Sequence, residues 1–209
     1  MKLEKLFDMQ RELDERIIRE KGLIGQDLLP NRILALQVEL GELANEWRGF
    51  KFWSRNQDPR REIKCHACKG AGYFMHGIDG DGTPYQEGCG YCDGTGIQER
   101  PLLEEYVDCL HFILSIGLEI YADAEFDTVT FDEIWDEETK YLDERMRLVD
   151  AFTELIVDAK WKTESHGYWR EYLEHFTDLG KRLGLSKVEV LKMYTDKNAT
   201  NHERQGSGY

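Results

Sequence analysis

Four cysteines occupy two short motifs of the same pattern within this 209-residue chain. Cys65 and Cys68 form one Cys-x-x-Cys pair, Cys89 and Cys92 form the other, and each pair continues as x-Gly-x-Gly. Two such knuckles separated by about twenty residues can close a tetrahedral site of four thiolates around Zn²⁺. Because such a site has no open position, we expect structural rather than catalytic zinc. Disulfides or four unrelated thiols are the alternative.

Carboxylates recur at helical spacing in two other segments. Glu39 and Glu42 are three residues apart, as are Glu105 and Asp108, so each pair shares one helix face. If the two helices pack antiparallel, the four carboxylates converge, and they cannot all stay ionised without a counter-charge. Mg²⁺ suits such hard oxygen ligands and supports metal-assisted phosphoryl chemistry. The alternative is solvated charge on amphipathic helices, because the chain has 41 Asp and Glu residues.

The overall composition is acidic, with a net charge of −14 and a charged fraction of 33%. This charge removes any general attraction to nucleic acid or anionic membranes, so we expect no direct nucleic-acid binding. A nucleotide can still bind through divalent cations. No apolar run is long enough to span a bilayer, and Glu4 and Asp8 interrupt any signal-like start. We therefore expect a cytoplasmic protein with reduced thiols and no membrane partner.

Helical segments must position these groups on either side of the cysteine motifs. Apolar residues at helical spacing predict helices over about 3–20, 31–48, 101–121, 130–161 and 168–183, and a short last helix that begins at a capping box, 186–189. From 65 to 96 glycine is dense and helical periodicity is lost. The prediction is an all-α helical bundle formed by residues 1–62 and 98–209, with 63–97 as a small Gly-rich insertion whose four cysteines bind zinc.

Four longer strings outside the insertion together resemble one known family. They are Glu39-Leu-Gly-Glu42-Leu-Ala-Asn-Glu46, Phe50-Lys-Phe-Trp53, Leu103-Glu-Glu-Tyr-Val-Asp108-Cys-Leu-His111-Phe and Lys197-Asn-Ala-Thr-Asn201-His-Glu-Arg204-Gln. They are similar to the all-α NTP pyrophosphatases related to MazG, and most closely to the dimeric dUTPases of firmicute bacteria and their phages. The zinc insertion departs from the commonest pattern of that family.

The resemblance implies a homodimer that hydrolyses dUTP to dUMP and pyrophosphate. In that family pattern Glu39, Glu42, Glu105 and Asp108 hold catalytic Mg²⁺ while water attacks the α-phosphate. Glu39 or Glu42 would also orient that water. The substrate-binding residues implied are Gln10, Asp14, Lys51, Trp53, His111, Lys197, Asn201 and Arg204. Among them, Gln10 and Asp14 would border the base, and the last three would close over the phosphates.

Other interpretations stay open at the level of sequence. In the first, the protein is a MazG-like hydrolase of another or damaged nucleotide. In the second, it is a zinc-knuckle adaptor without enzymatic activity. Trp53 is equally consistent with a core or interface position, and the polar tail with a frayed terminus. Glu46 is expected to face solvent or to support the metal ligands indirectly. The zinc module would either brace its loop or recruit a protein partner.

Overall fold

The computed structural model describes residues 2–78, 80–81, 84–120, 130–136, 147–161 and 166–207. Helices dominate these ranges, which confirms the predicted all-α class. The helices are α1 Leu3–Glu20, α2 Leu29–Trp47, α3 Pro101–Ile120, α4 Phe131–Asp136, α5 Leu148–Trp161, α6 His166–Arg182 and α7 Lys187–Gly206. In this part of the chain no helix combines the length and apolar character needed to cross a bilayer.

Helix α3 forms the centre of the bundle. Its apolar residues are buried on most sides, among them Val107, Leu110 and Ile113, and α1, α2, α6 and α7 all pack against it. The most extensive of these interfaces is with α2, whose Leu36, Leu40 and Leu43 are fully buried. Burial of such large aliphatic side chains contributes roughly 1.5–3 kcal/mol each. The α2–α3 pair is therefore the rigid base on which side chains of both helices are placed.

The ends of the helices follow local sequence in most places. Thr130 and Ser186 each accept a hydrogen bond from the backbone N–H three residues later, and Glu133 and Glu189 bond back, so both capping boxes form. The prediction of one helix over 130–161 is wrong, because α4 and α5 are separate helices and Arg147, just before α5, is not helical; 137–146 lie outside the described residues. The prediction of a short last helix is wrong, because α7 has 20 residues.

The cysteine segment contains short strands. They are β1 Ile63–Lys64, β2 Tyr73–Ile78, β3 Pro84–Gly88 and β4 Ile97–Glu99. β1 pairs antiparallel with β4 at the neck of the segment, and β2 with β3 as a hairpin. The neck lies between the end of α2 and the start of α3, so the segment projects from the connection between these two helices.

Candidate functional site

Three carboxylates from α2 and α3 meet at one place on the bundle. Glu39, Glu42 and Glu105 each offer an oxygen, and these oxygens lie within 4.8 Å of one another. The two helices run antiparallel, because Arg32 near the start of α2 pairs with Glu119 near the end of α3. This orientation brings the facing stripes of the two helices together. The arrangement has the donor type and spacing of a site for a hard divalent cation.

The negative charges of these carboxylates repel one another. Partial burial, followed by the charges of Asp108 and Glu42, raises the pKa of Glu39 from 4.5 to about 7. Partial burial, followed by the charges of Asp108 and Glu39, raises the pKa of Glu105 to about 7 as well. Proximity of like charges disfavours ionisation unless a cation is present. The donor set therefore fits Mg²⁺, which would supply the missing positive charge.

Asp108 lies beside this cluster but turns toward α7. Its charge acts on both Glu39 and Glu105, while its carboxylate forms an ion pair with Lys197. Burial raises the pKa of Asp108, and Lys197 and then the charge of Arg204 counteract that rise. Lys197 is thus paired with Asp108, the carboxylate that is expected from the sequence to be the fourth metal ligand.

The polar tail is an ordered part of the bundle rather than a frayed end. Residues 196–206 continue α7, and Asn198 donates a hydrogen bond of 3.3 Å to the carbonyl of Met9. Arg16 of α1 donates to the carbonyl of His202 at 2.8 Å. Arg204 donates to the side-chain oxygen of Asn201 at 3.4 Å. The ordered tail therefore holds Lys197 and Arg204 close enough to Asp108 for both charges to act on it.

A buried hydrogen-bond chain connects α1, α3 and α7 next to the carboxylates. The Oε1 atom of Gln10 lies 2.8 Å from Nδ1 of His111 and accepts a 3.0 Å hydrogen bond from the Tyr194 hydroxyl. Tyr194 also stacks on the His111 ring, with centroids 4.3 Å apart. Because an amide oxygen only accepts, Nδ1 of His111 carries the proton. Its Nε2 is buried without a hydrogen-bond partner among the described residues, and is available as an acceptor.

The histidine is held neutral in this position. Burial, followed by the charge of Lys197, lowers the pKa of His111 to about 3, and only 6% of the residue is exposed. A buried acceptor without a partner is costly, since leaving such a group unpaired costs about 1–3 kcal/mol. His111 is therefore suited to receive a donor group from a bound ligand.

The same chain continues from Gln10 to a small pocket. Gln10 donates through Nε2 to Asp14 at 2.8 Å, and Asp14 also accepts from the Ser115 hydroxyl. Asp14, Arg32 and Ser115 line a pocket of about 260 Å³, together with Phe112. Burial raises the pKa of Asp14 despite these hydrogen bonds and the charge of Arg32. The pocket offers both polar groups and an aromatic wall to a ligand.

Several residues at this site were missed from the sequence. Ser115 lies four residues after His111 and Arg32 lies seven before Glu39, so helical spacing places both on the faces already identified. That spacing could have indicated them. Tyr194 carries no comparable pattern, because its position against His111 depends on how α7 packs on α3.

Lys51 and Trp53 lie in the segment that follows α2, and the structure does not bring them to the carboxylates. Trp53 is 65% exposed and meets Phe50 and Phe52 edge-on, with ring centroids 5.7 and 5.1 Å away. The Lys51 Nζ atom lies 5.6 Å from the Phe50 ring centroid. The exposure rules out a core role for Trp53 within this chain, and its contact with the substrate or with an interface stays a prediction.

The four predicted zinc cysteines form a second, separate cluster. Their sulfur atoms lie within 4.8 Å of one another, all four residues are buried, and none forms a disulfide. The Sγ–Sγ distances are 3.8 Å for Cys65–Cys89 and 3.7 Å for Cys68–Cys92. These are separations that tetrahedral thiolates around one zinc ion can adopt. The cluster therefore could hold Zn²⁺ with no position left open.

The two halves of this cluster repeat each other in detail. The Gly72 N–H donates to Cys68 Sγ and the Gly96 N–H to Cys92 Sγ, both at 3.2 Å. Burial opposes ionisation of Cys68, yet backbone N–H donors lower its pKa to about 6. A Cβ atom on Gly72 would lie 2.4 Å from the Gly94 carbonyl oxygen, so the motif requires glycine there. The backbone donors thus favour the thiolate of Cys68, whereas burial raises the pKa of Cys89 to about 12.

Glu46, on the carboxylate helix, does not face solvent, which excludes one of the two roles expected from the sequence and leaves indirect support of the ligands. It is 8% exposed, and both of its carboxylate oxygens accept hydrogen bonds from the Arg60 guanidinium. Arg60 also lines a pocket of about 680 Å³ at the neck of the cysteine segment. That pocket is larger than the one beside Asp14 but contains none of the clustered carboxylates, so we assign the site by its donor groups rather than by cavity size.

The chain is similar to a known family over most of its length. A family model described as dUTPase matches residues 2–66 and 94–209. The matched ranges contain both carboxylate helices, the Gln10–His111–Tyr194 chain and α7, and the gap between them contains three of the four clustered cysteines. No curated protein matches the chain significantly.

Proposed function

The chain belongs to the dUTPase family, and from this premise we propose that it hydrolyses dUTP to dUMP and pyrophosphate in a Mg²⁺-dependent reaction. The observation that carries the proposal is the meeting of Glu39, Glu42 and Glu105 from two antiparallel helices. Like charges at this spacing suit a cation-dependent phosphoryl reaction and serve no evident packing purpose.

The proposed Mg²⁺ ligands are Glu39, Glu42, Glu105 and Asp108. The first three already have oxygens close together, and Asp108 would join them by releasing Lys197. When bound, Mg²⁺ would polarise the phosphate oxygens, activate the attacking water and stabilise the leaving pyrophosphate. Lys197, released from Asp108, would then be free to bind a phosphate oxygen of the substrate.

The remaining steps fall to side chains around the cluster. Glu39 or Glu42 would accept a hydrogen bond from the attacking water and direct it toward the α-phosphate. Lys197, Asn201 and Arg204 lie along one segment of α7 and would hold the phosphates in place. Such placement of reactants accounts for much of the acceleration in phosphoryl transfer.

The nucleoside would bind beside the buried hydrogen-bond chain. Gln10 and Asp14 would border the base, and the unprotonated Nε2 of His111 would accept a hydrogen bond from the nucleoside. Trp53 and Lys51, in the segment after α2, would cover the bound substrate or contact the second subunit.

Further parts of the proposal concern the assembly. We propose a cytoplasmic homodimer whose catalytic core comprises residues 1–62 and 98–209, with 63–97 as an inserted zinc module. Cys65, Cys68, Cys89 and Cys92 would hold one structural Zn²⁺ ion. In this proposal zinc stabilises the module and takes no part in hydrolysis.

A nucleotide panel tests the proposal. Pyrophosphate release would be measured for dUTP and other nucleoside triphosphates, with and without Mg²⁺, using Glu42→Gln and Asp108→Asn as loss-of-function variants. Glu15→Gln, an exposed residue on α1, is the control. We expect Mg²⁺-dependent activity on dUTP that both variants abolish. Preference for another nucleotide would favour the related hydrolases, and no hydrolysis at all would favour a zinc-knuckle adaptor.

A further inference from the structure

The carboxylates of the cluster repel one another, so contacts between α2 and α3 must hold the two helices together. Glu42 and Glu105 belong to different helices, yet their oxygens lie within 4.8 Å of each other. Apolar packing between α2 and α3 involves Leu40 and Leu43, which lie on the stripe of α2 that borders the carboxylates. This packing sets the separation of the helices, and polar contacts close to the carboxylates further fix the turns that bear them.

Arg60 makes contacts at both of these turns. Its guanidinium donates to both carboxylate oxygens of Glu46, and its backbone N–H donates to the Glu46 carbonyl at 2.9 Å. Its own carbonyl accepts a 3.1 Å hydrogen bond from the Leu102 N–H in the first turn of α3. A single residue thus joins the end of α2 to the start of α3.

The two anchoring points are next to the proposed ligands in sequence. Glu46 follows Glu42 by one helical turn, and Leu102 precedes Glu105 by three residues. Hydrogen bonds to Glu46, and more weakly the charge of Glu105, raise the pKa of Arg60, so the guanidinium also lies within electrostatic range of the cluster. A buried carboxylate held by a bidentate guanidinium has a fixed geometry. Glu46 is therefore occupied by Arg60 and unavailable as a metal ligand.

We propose that Arg60 and Glu46 are positioning residues that hold Glu42 and Glu105 at the separation needed to bind Mg²⁺. This inference rests on the proposed function only in taking Mg²⁺ as the ion. Groups that hydrogen-bond to the ligands themselves are typically worth about 10–100-fold in metal affinity, and we expect the lower end of that range for Arg60, which acts one helical turn away.

Charge and geometry predict opposite effects when Arg60 is replaced. A cation near a metal site repels Mg²⁺, so loss of its charge alone would tighten Mg²⁺ binding. Loss of the guanidinium removes the side-chain contact with Glu46, while the backbone bonds of residue 60 remain. The end of α2 would then be held less firmly and the repelling carboxylates would separate, which weakens binding. The direction of the change in affinity therefore distinguishes positioning from simple electrostatics.

The test measures Mg²⁺ affinity by calorimetric titration of the full chain in the absence of nucleotide. Arg60→Gln is expected to weaken Mg²⁺ binding about tenfold. At saturating Mg²⁺ its kcat should stay within about threefold of the unaltered protein, because the ligands themselves remain. Glu46→Gln should have a smaller effect in the same direction, since one side-chain oxygen can still accept from Arg60.

Arg61→Gln is the matched control. Arg61 follows Arg60 in the same neck, but its guanidinium donates at 2.6 Å to the Leu183 carbonyl, away from α2. Mg²⁺ affinity should be unchanged in this variant, even if its melting temperature falls. The two replacements together separate a general loss of stability from a loss of ligand position.

Unchanged or tighter Mg²⁺ binding by folded Arg60→Gln would overturn the inference. If that variant does not fold, Arg60→Lys keeps the charge but lacks the planar pair of parallel donors that matches both oxygens, and unaltered affinity there would be equally decisive. Absence of dUTP hydrolysis by the unaltered protein, with Mg²⁺ binding still dependent on Arg60, would refute the proposed function alone. Activity on dUTP with no dependence of Mg²⁺ affinity on Arg60 would refute the inference alone.

Discussion

The carboxylate cluster and the cysteine cluster each gather like ligand groups, but the chain assembles them by different means. The cysteines come from two short knuckles of the same backbone conformation, paired through hydrogen bonds between Cys65 and Gly96 and between Cys89 and Gly72. The carboxylates come from two long helices on opposite sides of that segment in the sequence. A local motif therefore forms one cluster, whereas the packing of the bundle forms the other.

The two clusters also differ in how their charges are compensated. Backbone N–H groups donate to the sulfurs of Cys68 and Cys92, so the loop backbone itself stabilises negative charge on these two sulfurs. The carboxylates have fewer such donors: Lys197 forms an ion pair with Asp108, and its charge only partly offsets the raised pKa of Glu39 and of Glu105. A closed site of four buried sulfurs suits structural zinc, and a partly exposed cluster of carboxylates with little counter-charge suits an ion that exchanges and meets substrate.

Replacing one carboxylate should have the largest effect, because it should change hydrolysis at the carboxylate cluster and leave zinc binding at the cysteine cluster unaltered. Glu105→Gln is expected to lower hydrolysis by at least about 100-fold while the zinc content stays unchanged, because a ligand and its charge are lost. Pyrophosphate release and metal analysis would measure the two properties. Glu104→Gln, the adjacent half-buried residue, is the control. Loss of zinc in Glu105→Gln would show that the two regions are not independent.

The reverse replacement addresses the cysteine cluster. Cys89→Ser should remove bound Zn²⁺ and unfold the module, with hydrolysis kept within about threefold, since the core has its own hydrophobic interior. Cys109→Ala, which alters the remaining cysteine outside the cluster, should retain zinc. A drop in kcat of more than about tenfold with core helicity intact would place the module in the active site.

Lys197 provides a finer test, because only the carboxylates depend on a side-chain cation. Lys197→Met should raise the KM for dUTP about tenfold, as expected for loss of one charged hydrogen bond. It should also tighten Mg²⁺ binding without substrate, since Asp108 is released. Lys192→Met, which affects an exposed pair with Asp196 on the same helix, is the control. An unchanged KM would argue against a phosphate-binding role.

The smallest expected effect concerns pH in the absence of metal. The pKa values of Glu39 and Glu105 are about 7 in the folded chain against an ordinary 4.5, so folding favours their protonated forms. Stability from these groups is complete below about pH 4.5 and is lost as pH rises to about 7. As the pH rises from about 4.5 to about 7, the Tm of the unaltered protein should fall by about 3 °C more than the Tm of Glu39→Gln.

Mg²⁺ supplies the control for that measurement. With saturating Mg²⁺ the difference between the two proteins should disappear or reverse, because the ion stabilises the ionised carboxylates of the unaltered chain. Melting curves recorded with chelator and with Mg²⁺ would show this. A difference of the opposite sign in chelator would mean that the carboxylates do not repel one another in the folded state.

Sequence patterns predicted the helices that have an apolar stripe. The first helix was expected over 3–20 and spans Leu3–Glu20, and both capping boxes form where their residue pattern places them. The end of α7 was not predicted, because its residues lack an apolar stripe. Contacts to other helices, such as that of Asn198 with Met9, stabilise it instead. Helices in proteins gain most of their stability from such packing rather than from the intrinsic propensity of their residues.

The candidate site shows the same limit. Spacing grouped Glu39 with Glu42 and Glu105 with Asp108, because residues three apart share a helix face. It gave no indication that Glu46 is bound by Arg60, or that Tyr194 stacks on His111. These partners come from distant parts of the chain, and no local pattern relates them.

The sequence alone determined the cysteine knuckles, the acidic helix faces and the all-α class, since each depends on residues a few positions apart and on the regular geometry of the backbone. Only the tertiary structure decided that the acidic faces meet, that Lys197 neutralises Asp108 and that Arg60 joins the ends of α2 and α3. The physical reason is that the order and direction in which helices pack depend on burying their apolar faces against one another. That requirement is satisfied by the whole bundle at once and by no segment of it separately.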